Sequence, residues 1–383
     1  AGSAKAQADA ASCQRAGVLH RQRHPDRGGH PGEVRLAVAR LRAVRGPCLR
    51  NGASGRRGGD DRKTTTLCAD TWGARIEAGD ILVGRGGVIT CAGGFDDVSE
   101  HSNRVWIVCD TLAVAAGGAI KADARGYLGS TLTNGCGPGG GWWNSGGSYG
   151  GLGGVGLTFS GFMRFPYGSH LEPAQPGSGG GSGSAEKIGG SGGGAIWIEA
   201  AGHVQLDGAL SANGGNQSGP GNGLGGGGSG GAIYLRGETI AGTGAFTARG
   251  GTMNFWGGNG SGGRIAVHYD TAAQAGLPKP ALSFSALPGV LSGQTYETAQ
   301  YNGEPGTLYL PDDALLTEPI NVTAQLYFAE PRWHTEALTI NGQWVAFPQD
   351  GFALEVDGDL TVCAVGNIGR LDLGGSLLTN TAS

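Results

Sequence analysis

The chain has 383 residues, of which 80 are glycine, and a net charge of −4. That length suits two or three ordinary domains or one extended solenoid, and the glycine share is about three times the usual one. The glycines keep no period of three, which excludes collagen, and no run of about 20 apolar residues exists to form a transmembrane helix.

The charge divides abruptly. Residues 1–66 carry 14 Lys or Arg against 5 Asp or Glu, and the first aromatic residue of the chain is Trp72. A basic stretch without aromatics lacks the apolar side chains for a core, so 1–66 is expected to be a disordered or foreign leader. VRLAVARLRAVR at 34–45 could form a basic amphipathic helix, yet the missing aromatic platforms argue against nucleic acid as a partner. His20, His24 and His30 stand among arginines that repel a cation, so they read as incidental rather than metal-binding.

From Trp72 the texture becomes short β-rich phrases. RIEAGDILVGRGGVITCAGG and RVWIVCDTLAVAAGGAIKADARGYLG alternate apolar with small or polar residues, the pattern of strands with one face turned to a core. Cys91 and Cys109 fall in these phrases and are expected as small buried thiols, with a disulfide between them as the alternative. Gly135 to Gly194 is then a long glycine-rich excursion containing FMRFPYG.

The next stretch repeats itself. GGGAIWIEAAGHVQLDGALSANGG at 192–215 is echoed by GGAIYLRGETIAGTGAFTARGG at 230–251, and GGRIAVHYD follows at 262–270. Equivalent isoleucines at Ile196, Ile233 and Ile265 set periods of 37 and 32 residues. Such spacing marks stacked units that complete one another's cores. The prediction is an all-β fold, a right-handed parallel β-helix over 72–270. Glycine tracts recur in phase at 219–231 and 257–263, so glycine-rich loops should leave one edge of every coil and lie side by side. Gly117, Gly118, Gly214, Gly215, Gly250 and Gly251 should mark corners that need positive φ or close backbone approach. After Tyr269 the pattern lapses. PKPALSFSALPGVLSG reads as an irregular connection within a second β-rich module at 271–350. FALEVDGDLTVCAVGNIGRLDLGG, within 351–383, reads as the start of a further array, so the chain is expected to be part of something longer.

The combined phrases GSGGGAIWIEAAGHVQLDGALSANGG, GGGSGGAIYLRGETIAGTGAFTARGG and GGNGSGGRIAVHYD, with FMRFPYGSHLEPAQPGSGGG before them, resemble glycine-rich repeat regions of large bacterial surface or secreted proteins. The resemblance covers about 72–270. It implies a parallel β-helix at the cell surface or outside the cell, and it implies no particular activity.

Chemistry is sparse. A glycosidase needs two carboxylates flanking the scissile bond; Asp110, Glu199 and Asp207 are the central acidic candidates, with Arg236 sharing a face with Glu199 across coils. Asp96, Asp97 and Glu100 form an acidic knot that misses calcium-loop spacing. His203 and His268 lack a third orienting group. No GxSxG elbow occurs, and the glycine tracts are followed by strands instead of the helix a dinucleotide site requires. No catalytic residue, metal ligand or cofactor site is therefore assigned. Trp142, Trp143, Tyr149, Phe165, Tyr167 and Trp256 concentrate in or beside the glycine tracts, either as a surface for a polysaccharide or as a private core over the glycines. The reading is a non-catalytic structural or adhesive segment, with end-to-end self-association as a further partner. A carbohydrate-active enzyme and an ice- or particle-binding surface are the alternatives.

Overall fold

The computed structural model describes residues 64–67, 75–96, 104–131, 133–156, 164–184, 187–219, 224–253, 257–290, 302–365, 369–374 and 377–380. Nearly all of the regular structure is β, with 2% helix, and a large sheet of parallel strands curls through 234° as a half-barrel. Among the described residues, 17 strands join this sheet.

The strands stack in three columns. The first runs through Ile76–Val83, Val105–Val114, Ala195–Ala200, Ala232–Arg236, Arg264–His268, Thr307–Leu310, Val322–Phe328, Trp344–Ala346 and Arg370–Asp372. The second sets His203–Leu206 and Thr239–Ala241 beside the C-terminal half of Val105–Val114. The third runs through Thr64–Leu67, Val88–Cys91, Ala119–Lys121, Ala209–Ser211, Ala245–Thr247, Ser283–Ser285 and the start of Val322–Phe328. Residues 64–66, the end of the expected disordered or foreign leader, instead belong to Thr64–Leu67, a strand paired with Val88–Cys91, and residues 1–63 lie outside the described residues.

The repeat isoleucines stack as their spacing requires. Val105, Ile196, Ile233, Ile265, Leu308 and Leu326 follow one another in register and are fully buried. On the third column Ile120, Leu210, Phe246, Phe284 and Val322 do the same, with the two phenyl rings stacked at 4.9 Å. Alternation fixes this arrangement, because a one-residue slip would turn each row into solvent. Each fully buried side chain of this kind contributes about 1.5–3 kcal/mol. Cys91 and Cys109 are buried free thiols of the same core, and burial pushes each up to about 11.

The lapse in sequence pattern after Tyr269 brings no break in pairing. Ser283–Ser285, inside the stretch expected to be irregular, is a strand held between Ala245–Thr247 and Val322–Phe328. Its three residues are too few for alternation to reveal. The short helix Thr271–Ala275 is capped by Asp270, and its Gln274 exchanges hydrogen bonds with the backbone of Ile240. From Thr307–Leu310 onward the spacing between paired strands shortens, Leu308 pairing with Leu326 at an offset of 18 residues. Arg332–Thr335 pairs with Ala353–Val356 at an offset of 21 residues, and Leu338–Asn341 with Leu360–Cys363 at 22.

The glycine tracts form an ordered bundle beside the columns. Successive coils are bonded backbone to backbone: Gly190 N to Gly226 O at 2.9 Å, Gly227 N to Gly258 O at 3.0 Å, Gly230 N to Ser261 O at 2.9 Å. A layer nearer the strands, including Gly215 and Gly251, bonds across to the same tracts. The excursion supplies an outer layer, where Gly147 N donates to Gly227 O and Ser261 N donates to Gly147 O.

What these positions demand is space. No glycine of 189–194, 226–231 or 258–263 takes positive φ. A Cβ built on Gly146, Gly228 or Gly260 would come closer than 3.0 Å to a neighbouring backbone carbonyl. Of the six expected corner glycines, Gly117 has φ of 79° while Gly118, Gly214, Gly250 and Gly251 are fixed by close backbone approach. Gly215 is looser, its nearest neighbour being 3.2 Å from a built Cβ.

Candidate functional site

The outward face of the first column carries aligned side chains, since residues two apart share a face and in-register residues repeat every coil. One row holds Trp106, Trp197, Tyr234, Ala266, Tyr309 and Tyr327. Trp197 and Tyr234 stack at 3.8 Å, and His268 bridges Tyr234 to Tyr309 at ring separations of 5.1 and 5.0 Å. The Arg104 guanidinium lies 4.2 Å from the Trp106 ring, and burial holds it down at about 10 against the opposing charge of Glu199.

The adjacent row holds Val108, Glu199, Arg236 and His268 in register. Here the first column turns into the second, and a groove of about 1300 Å³ runs along the corner. Its floor is made of small residues, Gly79, Ala200, Ala201 and Gly237, and its walls carry Glu77, Asp110, Glu199, Glu238 and Asp270 with Arg236 and His268. Glu199 is held in place by two indoles, accepting from Trp106 Nε1 at 3.2 Å and from Trp197 Nε1.

One wall comes from the excursion. Residues 164–176 cross the aromatic row as a strap and bring Glu172 to the groove. Arg264 Nε donates to Tyr167 O at 2.9 Å, His268 Nε2 meets Leu171 O at 2.8 Å, and His170 stacks on Tyr327 at 4.2 Å. Burial, aided by the Arg264 charge, holds the His170 imidazole below its ordinary range.

The acidic candidates separate. Glu199 and Asp110 line the groove with Arg236, whereas Asp207 is not part of its lining. Asp207 locks a turn, accepting from Gln205 Nε2 at 2.9 Å and Thr243 N at 3.1 Å. His203 and His268 belong to different columns, and His203 pairs with Thr239 Oγ1 at 2.9 Å. Among the described residues no group of three or more His, Cys, Asp or Glu side chains is placed to share a metal ion. None of the described helices is long and apolar enough to cross a membrane.

The aromatic set also divides. Tyr149 is fully buried, its ring 4.7 Å from Tyr167 and 5.4 Å from the Arg264 guanidinium, so it serves the inside of the bundle and offers no surface. Burial raises its phenol well above the ordinary value. Tyr167 is half-buried and donates its hydroxyl to Pro176 O at 2.6 Å. Trp142 is half-buried, and Trp143 is 40% exposed with φ of 50°. The Trp143 ring lies over Gly183, where a Cβ would stand 3.3 Å from its edge. Phe165 is 83% exposed, and Trp256 lies outside the described residues.

Glu199, Asp110, Arg236 and His268, named from the sequence, all line the groove, whereas its other acidic residues, Glu77, Glu172, Glu238 and Asp270, carried no signal there. The sequence signal for the groove as a whole is register: once Ile196 and Ile233 are aligned, Glu199 falls opposite Arg236 and Trp197 opposite Tyr234. Compared with known proteins, the chain matches no family model, no curated protein and no solved structure.

Proposed function

We propose that this chain is a non-catalytic structural or adhesive segment of a bacterial cell-surface or secreted protein, its coils wound as a right-handed parallel β-helix. The observation that carries the reading is the glycine bundle. Its segments bond to the coils before and after, to a layer inside and to a layer outside. Such cross-bracing stiffens a solenoid along its axis, a mechanical property with no bearing on turnover. Support for an oxidising location comes from Cys136, which is disulfide-bonded, since such bonds persist mainly outside the cytosol. The test pairs a glycan array with a polysaccharide-degradation screen on the purified chain. Binding without product formation is the expected result, and catalytic release of oligosaccharides would overturn the reading.

A carbohydrate-active enzyme is the second reading, favoured by Glu199 and Asp110 lining one groove. It requires product formation that disappears in Glu199→Gln and in Asp110→Asn.

A further inference from the structure

We infer that the corner groove is the binding site for a linear, uncharged glycan lying along the stacking axis; the inference rests on the adhesive reading above and gives it a ligand class. Shape comes first. The groove takes residues from five successive strands of the first column, from Glu77 through Val108, Glu199 and Arg236 to His268. Four steps of about 4.8 Å make a channel roughly 19 Å long, suited to an extended chain more than to a compact molecule. The small floor residues let a bulky ring sit close to the backbone, and the strap closes one side at Glu172.

Chemistry narrows the class. Carboxylates accept hydrogen bonds from hydroxyls, while Arg236 and the edge of Tyr234 supply donors on the same wall; a sugar chain offers both partners at every ring. Glu199 cannot swing away, because two indole N–H groups fix it, and a pre-set acceptor lowers the ordering cost of binding. A peptide is a poorer match. It would seek backbone partners along a strand edge, but the groove crosses the strands, whose N–H and C=O groups are engaged with the neighbouring coils. Six carboxylates stand against Arg236 and His268, which repels nucleic acid and uronate chains.

The test is calorimetric titration of the whole chain with cellohexaose, xylohexaose and mannohexaose, beside hexagalacturonate and hexalysine. At least one neutral hexaose should bind, with hexagalacturonate at least tenfold weaker. Glu199→Gln and Asp110→Asn should each weaken that binding about tenfold while melting with the parent. Val362→Ala, at an exposed position in Leu360–Cys363 and no part of the groove lining, should leave it unchanged. No binding by any neutral hexaose, equal binding of hexagalacturonate, or binding of hexalysine alone would each overturn the inference. If a neutral hexaose binds and is cleaved, the site stands and the non-catalytic reading falls. If none binds and none is cleaved, the site falls while the structural reading stands.

Discussion

The coils up to Thr307–Leu310 and those from Arg332 onward stack their strands by the same parallel pairing, but among the described residues only the first set carries the glycine bundle. The later pairings are offset by 21 to 26 residues, against 37 and 32 for the glycine-bearing repeats. Stacking therefore does not require the glycines. The extra residues of the glycine-bearing repeats leave the column, run out and return through the bundle. In the column, side chains fill the space between backbones; in the bundle, the absence of side chains lets backbones fill it themselves. Glycine pays maximal ordering entropy, and the dense bonding between tracts is what offsets it.

The comparison is broken most strongly through the column. Ile233→Ala should cost about 2–5 kcal/mol, because the cavity opens in the middle of the stacked row. Chemical denaturation should show it as a lower midpoint with the slope unchanged. Two separate transitions in the parent protein would mean that column and bundle fold independently.

Gly260→Ala ranks next, at about 1–3 kcal/mol, the usual cost of forcing a group into a filled site. Gly260 is buried, a Cβ there would meet the Gly228 carbonyl, and Gly289 N donates to Gly260 O. No flexible side chain can yield. An unchanged midpoint would show that the bundle contributes nothing to the stability of the column.

Gly84→Ala should have the opposite sign. Gly84 follows Ile76–Val83, takes no positive φ, and has nothing within 4 Å of a built Cβ. Restricting the unfolded chain there should stabilise by about 0.4–1 kcal/mol. Destabilisation at Gly84 comparable to that at Gly260 would mean that glycine identity, and not backbone contact, sets the cost.

Much of this was legible because a repeat converts spacing into register. Ile196, Ile233 and Ile265 announce their own stacking, and in-phase glycine tracts announce side-by-side loops. Two kinds of feature escaped. Ser283–Ser285 is shorter than any period that can be counted, so only its partners define it. The groove is assembled from residues that look like ordinary solvated positions one coil at a time. Glu199 becomes distinctive only when Trp106, 93 positions away, donates to it. Tyr149 was ambiguous for the same reason, since an aromatic residue inside a glycine tract is compatible with either a surface or a private core until the tracts are placed around it.

The strap joins the two kinds of coil, since it is tethered to Arg264 and His268 among the glycine-bearing ones and ends its stack on Tyr327, in the first strand reached at the shorter spacing. Its hold should depend on pH. His170 is neutral-favouring in the folded chain, through burial first and the Arg264 charge second. Its folded value thus lies below the unfolded value of about 6.5, and the unfolded or released strap binds more protons in between. The stabilisation is complete above about pH 6.5 and is lost as the pH falls through the folded value. Tyr327 and Arg264 face the imidazole, and Arg264 keeps its charge throughout this window; His268, which meets Leu171 O, is the strap's second imidazole contact. Hydrogen exchange of residues 164–176 should accelerate on acidification from pH 7 while the Ile233 row keeps its protection, after correction for intrinsic exchange rates. His170→Phe retains a ring to stack on Tyr327 and removes the proton site, so it should abolish the pH response of the strap. Acceleration that persists in His170→Phe would assign the response to another group.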